Sequence, residues 1–416
     1  MYLAMRGVAD VQRLWLEKWS PADCCPELQN YGGERTPGDM MSPFFRALFD
    51  RSKDGRTVAM YLAEFASADV QRLWLEKWSP ADCCSRLQGL DGRTVAMYLA
   101  QYACADVKRL WLEKWSSSDC CPELQDYRSK KTVAMYLVEH GNDDVHKLLL
   151  EKWSPSDCCP ELQDTYGDTV AMYLVQHGSA DVQRLWLEKW SPGDCCPRVQ
   201  NKDGWTVAIY LAQCDNADAQ RLWLETWSPS DCCPELQDRE GRTVAMHLAV
   251  SWDVDVPRLW MHTWSPSDCC PELQDKDGRT VAMLLACCGD TFLQEMWLEK
   301  WSPVDCCSQL QDKLGCTVAM YLAMHGSEKI QRFLLEKWSP SDCCPELQDS
   351  TGRTVAMHLA MHGSAIVQRL WLRKWPSCHW FSELQDEDGF TLPMYLAKHR
   401  CMAVQRLWVE ALTEHS

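Results

Sequence analysis

The threonine of the motif TVAMYLA and its variants falls at 57, 94, 132, 169, 206, 243, 280, 317, 354 and 391, and every step is 37 residues except one of 38. No other feature constrains the fold as much. A unit this short holds two short helices with one apolar face each, and neither helix can bury that face alone. Stacked neighbours can, so the period predicts an all-α helical repeat solenoid in which each repeat touches only adjacent repeats. The segment Met1-Tyr2-Leu3-Ala4 matches Met60-Tyr61-Leu62-Ala63, so 1–29 reads as a repeat that has lost its start. An insertion of 22 residues lies within 30–53, where YGGERTPGD reads as loop and SPFFRALF as one capped helical piece. About ten repeats then fill 54–410, the last stopping after its second helix, with 411–416 as a tail.

Each repeat has three parts. The first, for example Thr57 to Ala66, has Thr as N-cap and good helix formers after it. Its Ala59 and Ala63 put two small side chains on one face for close packing. Several copies end in His-Gly (140–141, 177–178, 325–326, 362–363), which suits a left-handed glycine after the helix and a histidine favoured by the helix dipole. The second part is ADVQRLWLEKW, where Val70, Leu73, Trp74 and Trp78 form an apolar stripe and Asp69 is placed to cap. The third part is WSPSDCCPELQD, repeated identically at 153–164, 227–238, 264–275 and 338–349. Ser-Pro-Ser-Asp is a helix-start signal, the Pro after Cys-Cys ends that turn, and an Asp-Gly turn leads to the next Thr.

The segments DKDGRTVAMLLACCG at 275–289 and DGRTVAMYLA at 91–100 resemble the Asp-x-x-Gly-x-Thr-x-Leu-x-x-Ala-Ala opening of ankyrin repeats. VQRLWLEKW resembles their second helix, and the likeness covers about 54–410 and the broken first repeat. It implies stacked helix-turn-helix units whose turns and first helices line a concave surface that grips other proteins. Two departures stand out. The family's Thr-Pro-Leu-His becomes Thr-Val-Ala-Met, and the repeat is 37 residues long where about 33 is typical.

Nine Cys-Cys pairs, beginning at Cys24, Cys83, Cys120, Cys158, Cys195, Cys232, Cys269, Cys306 and Cys343, account for 18 of the 25 cysteines. Helices in a stack sit roughly 8–10 Å apart, beyond the reach of a disulfide ladder between repeats. Adjacent cysteines also lack the two-to-four-residue spacing of structural zinc sites. The last repeat has Trp380-Phe381 where the others have Cys-Cys, which points to a buried position that wants apolar volume. Packing is the preferred reading; metal or metalloid binding, redox chemistry and lipid modification are the alternatives.

Of the 22 tryptophans, one series follows Thr by 17 residues, with Leu149 and Leu334 replacing it twice, so that site needs volume. The second series, Trp78 through Trp375, reads as core or edge of core, with an exposed stacking ladder as the rival. No glycine-rich phosphate loop, HExxH or GxSxG occurs, and the histidines form no catalytic constellation. The expectation is a protein without catalytic residues, metal or cofactor.

The residue before each Thr behaves differently. It is Arg56, Arg93, Lys131, Asp168, Trp205, Arg242, Arg279, Cys316, Arg353 and Phe390, changing charge, size and aromaticity between nearly fixed neighbours. Core packing would restrict such a position, so these residues are expected to lie exposed on the turns. Cys316 aside, they are the candidate partner-binding residues, with Trp205 and Phe390 as aromatic anchors and the arginines as carboxylate or phosphate contacts. Unselected surface is the plain alternative. The formal charge of −17 argues against nucleic acid phosphates or anionic lipid as partners. No run of 18 or more apolar residues occurs and the N-terminus lacks signal-peptide features, so a cytoplasmic location without membrane insertion is expected. The function expected is that of a protein-protein interaction scaffold, with a cysteine-based metal or redox module and a structural spacer as rivals.

Overall fold

In the structure, a computed structural model, each repeat folds as the period requires, into two short antiparallel helices and a turn. Residues 9–18, 55–83, 85–251, 253, 255–288, 290–375 and 383–398 are described, with 402, 405, 406 and 409. The insertion at 30–53, the Cys24 pair, Trp380-Phe381 and the tail lie outside them. The described residues are helices and loops, with one isolated bridge between Gln385 and Thr391. No helix among them is long and apolar enough to cross a membrane.

The chain divides into two compact bodies, Met1–Lys202 and Asp203–Ser416. In the first, the first helices Val58–Phe65, Val95–Tyr102, Val133–His140 and Val170–His177 pack side by side in chain order. Their second helices, Ala68–Lys77, Ala105–Lys114, Asp143–Lys152 and Ala180–Lys189, form a parallel row that begins with Ala9–Lys18 of the broken repeat. The second body repeats the plan. First helices Val207–Gln213, Val244–Ala249, Val281–Cys288, Val318–His325, Val355–His362 and Leu392–Ala397 form one row, and Ala217–Thr226, Asp255–Thr263, Thr291–Lys300, Glu328–Lys337 and Ala365–Lys374 the other. Contacts run between neighbours, as a solenoid demands.

Local chemistry explains the invariant letters. Thr57 caps its helix, its Oγ1 accepting the Met60 N–H at 3.3 Å. The Thr57 N–H in turn donates to the Met60 sulfur at 3.4 Å, so methionine closes the capping box. Ser154 and Asp157 form a second box at the 3₁₀ turn Pro155–Cys158, the carboxylate accepting from the Ser154 N–H and hydroxyl at 2.9 and 2.6 Å. The glutamine of Glu-Leu-Gln-Asp stitches repeats together. Gln163 Nε2 donates both to its own turn, at Gly167 O, and to the next repeat, at Gln200 O, and the Gln237 amide does the same in the second body. The lysine of Glu-Lys-Trp reaches the end of the preceding second helix, as Lys114 Nζ does at Leu75 O.

Two local expectations need correction. The His-Gly glycines are not left-handed: Gly141 and Gly178 have φ of −80° and −72°, like Ala66 and Ala103 at the same place. The next helix begins two residues later, and only an extended link can turn the chain that fast. Asp69 does not cap its helix either. The N-cap is Ser67, and the aspartate sits in the first turn beside Arg72, while Arg72 also reaches Asp106 of the following repeat at 3.1 Å.

Both tryptophan series are core. Trp74, Trp111, Trp186, Trp223, Trp260, Trp297 and Trp371 are fully buried, and Trp78, Trp115, Trp153, Trp190 and their equivalents nearly so. An exposed stacking ladder is therefore overturned by this burial, and in six repeats the second-series ring closes edge-on against its first-series partner, as Trp190 does on Trp186 at 6.4 Å.

Candidate interaction surface

The residue before each Thr does not stand free on the turn. In the first body Arg56 lies over the Tyr98 ring of the next repeat at 4.8 Å, Arg93 over Tyr136 at 5.3 Å and Lys131 over Tyr173 at 5.2 Å. Each also touches the tyrosine of its own repeat at 5.8 Å. The charged ends are held by the residue eight positions on: Arg56 by Glu64 at 2.6 Å, Arg93 by Gln101 at 2.7 Å and Lys131 by Glu139 at 2.6 Å. Asp168 closes the series, buried and accepting from the Asn201 amide at 2.9 Å. The result is a cation–aromatic ladder along the first helices.

In the second body the position is again half-buried, with varied chemistry. Trp205 packs against Tyr210 and His247 at 5.0 and 5.7 Å. Arg279 pairs with Asp277 and Asp275 at 2.7 and 3.1 Å. Arg353 Nε donates to the Tyr395 hydroxyl at 3.3 Å, and Phe390 lies 5.8 Å from the same ring with Lys398 over it at 3.6 Å. Arg242 is half-buried and Cys316 buried. The expected exposure is thus corrected: the position varies because its shelf, a flat aromatic ring, accepts cations, rings and short side chains alike. The signal for that shelf lies in the tyrosine or histidine five residues beyond every variable position but Arg279, where Leu284 stands.

Full exposure belongs to the turn tips. In the first body Leu90, Tyr127 and Tyr166 are 71%, 59% and 68% exposed, one per successive turn. The turns that carry them are linked by backbone bonds, Tyr127 N–H to Asp91 O at 2.9 Å and Lys202 N–H to Tyr166 O at 2.8 Å. Phe65 and Tyr102, at the far ends of their helices, are exposed as well. The sequence gives no sign of the three at the turn tips, because a residue inside a turn signal reads only as turn.

Beneath the ladder seven turns are each built on one aspartate, while Gly89 and Asn201 hold its place in two others. Asp164 accepts from the Tyr166 and Asp168 N–H groups at 2.8 Å and from the Tyr173 hydroxyl at 2.9 Å. In two repeats histidine replaces the tyrosine: His247 and His358 meet Asp238 and Asp349 at 2.9 and 2.8 Å. Burial pushes His358 below its ordinary range despite Asp349, while Asp349, half-buried, is held low by Thr351, the Arg353 N–H and His358. Burial likewise lowers His146, which stands where other repeats have a buried glutamine. Its ring faces the Leu137 and Val138 carbonyls without closing a full hydrogen bond, whereas Gln183 donates to Val175 O at 2.6 Å.

A depressed histidine binds fewer protons folded than unfolded. Stability is therefore expected to fall as pH drops from about 7 towards 5, below the ordinary histidine range, and further as the aspartates protonate below about 4. His146→Gln with His358→Tyr should flatten the upper part of that curve in urea melts taken at each pH. An unchanged slope would refute the assignment.

The Cys-Cys pairs divide by position. The first member is buried in every described repeat, and in four the second-helix indole N–H faces its sulfur, Trp111 towards Cys120 and Trp186 towards Cys195 among them, too loosely for a full hydrogen bond. Burial raises these thiols well above the ordinary value. The second member is left-handed, with φ of 45° to 50° from Cys121 to Cys344, and half-buried or buried. Its thiol is raised too, Cys159 to about 11 by burial and nearby carboxylates. These protonated, inward thiols support packing.

No protein-family model matches the chain, and no curated protein does. Among solved structures it is similar to the ankyrin repeat domain of Bcl-3, a member of the IkappaB family, at 18% identity and a TM-score of 0.40, over 58% of this chain and 99% of that one. A solved complex of the predatory endopeptidase Bd0816 from Bdellovibrio bacteriovorus with the immunity protein Bd3460 contains another match, at 16% identity and a TM-score of 0.34, over 52% of this chain and all of the other.

Proposed function

We propose that this ankyrin-like array is a non-catalytic scaffold, working in the cytoplasm, that binds another protein along its turns and first helices. One observation carries the reading. In a chain of near-copies, one row between nearly fixed neighbours varies in charge, size and aromaticity: Arg56, Arg93, Lys131, Asp168, Trp205, Arg242, Arg279, Arg353 and Phe390. Such variety, which the aromatic shelf permits, is what recognition of an irregular partner uses. Half-burial favours this role, since side chains already fixed on an aromatic shelf lose little freedom on binding. The acidic chain disfavours polyanions.

The test is to replace Arg242, Arg279 and Arg353 with Glu and measure affinity for the protein that the wild-type chain retains by cross-linking. A loss of roughly tenfold or more, about 1.4 kcal/mol, is expected without loss of helix content. Unchanged affinity would remove these arginines from the surface. A wild-type chain that retains nothing would favour the structural spacer.

A further inference from the structure

The thiols of the repeated motif are turned inward, which leaves a different pair in view. Among the described cysteines the exposed ones are Cys104, Cys287 and Cys288. The last two are neighbours, and both stand exposed at the end of the first helix Val281–Cys288 after six buried residues. They stand apart from the motif pairs, in which one thiol is sealed in the core and the other held left-handed.

Arg279 is eight residues before Cys287, the spacing at which Arg56, Arg93 and Lys131 hold Glu64, Gln101 and Glu139. Cys287 holds the acceptor's place in its repeat, while the Arg279 guanidinium itself pairs with Asp277 and Asp275. Burial first, and then the neighbouring thiol, raise Cys287 above its ordinary value, and Arg279 offsets only part of that. Among the described residues no three His, Cys, Asp or Glu side chains converge as a metal ion would require. Zinc, which seeks four ligands, is poorly served here. A soft three-coordinate centre that brings one substituent of its own needs only two thiolates.

We propose that Cys287 and Cys288 form an accessible vicinal dithiol that captures a monosubstituted trivalent arsenical. With the arsonous acid, RAs(OH)₂, two As–S bonds form and two As–O bonds break. The thiol protons leave in two waters, the organic group stays on arsenic, and no atom changes oxidation state.

The experiment uses the full reduced chain and phenylarsine oxide, read by intact mass and peptide mapping. The first equivalent is expected on the peptide that contains Cys287 and Cys288, to resist a large excess of a monothiol, and to leave on addition of a dithiol. Cys287→Ser and Cys288→Ser, both at exposed positions, should each weaken retention roughly a hundredfold or more, the advantage of a second, intramolecular bond. Release by monothiol, first labelling at another cysteine, or full retention in either serine variant would overturn the proposal.

Discussion

Trp186→Ala is expected to cost about 3–5 kcal/mol, enough to loosen its repeat, whereas Trp186→Leu should cost less than half as much. The ring is fully buried, packs edge-on against Trp190 at 6.4 Å and lies beside the Cys195 thiol. Its indole N–H finds no hydrogen-bond partner. An orphaned N–H costs on the order of 1–3 kcal/mol. Burying 150–250 Å² of ring at about 25 cal/mol per Å² contributes roughly 4–6 kcal/mol. Volume wins, so alanine, which empties the site, is severe. Leucine returns part of the volume and removes the orphaned donor, and Leu149 and Leu334 already hold this place. Because repeats unfold semi-independently, the measurement is amide hydrogen exchange across 170–177 and 180–189 together with a urea melt. Equal costs for the two variants would mean that the aromatic ring itself, not its bulk, holds the repeat.

The same repeat shows how far sequence alone reaches. Helix positions, the threonine cap and the Ser-Pro-x-Asp turn were legible because each depends on residues within four positions of one another. What failed was long-range. Arg56 looked exposed because its shelf, Tyr98, belongs to the next repeat, 42 positions away. The left-handed second cysteine was invisible for a different reason: nothing in Cys-Cys-Pro announces a positive φ, and the conformation follows from how the 3₁₀ turn must exit. Burial of the motif cysteines was readable from Trp380-Phe381 in their place, whereas Cys287-Cys288, outside the motif, carried no sign of its exposure. Of the candidate surface, the sequence carried the varied row but not its depth.

Asp164→Ala is the second large effect, expected at about 3 kcal/mol, with Asp164→Asn near 1 kcal/mol. The carboxylate is nearly buried and accepts from two backbone N–H groups and one hydroxyl. Alanine leaves those donors unsatisfied in a turn already bent at Gly167, φ +86°, whose absent Cβ would come within 2.8 Å of the Asn201 backbone. Asparagine keeps one acceptor oxygen for the two N–H groups, and its amide can donate to the Tyr173 hydroxyl, so it loses charge but not connectivity. Tyr173→Phe should cost less than alanine at 164, because the two N–H bonds survive. The turn bonded to Asp164 also carries Tyr166 and backs the row at Asp168, so its collapse should reach the neighbouring repeat through the Lys202 N–H to Tyr166 O bond. Amide exchange at Lys202 reads this directly. Faster exchange there in Asp164→Ala, with native rates in Tyr173→Phe, would establish the aspartate as the element that holds the turn in place for recognition. If both variants leave Lys202 protected, the turn is held by its glutamine ladder, Gln163 to Gly167 O and Gln200 O, and the aspartate only finishes it.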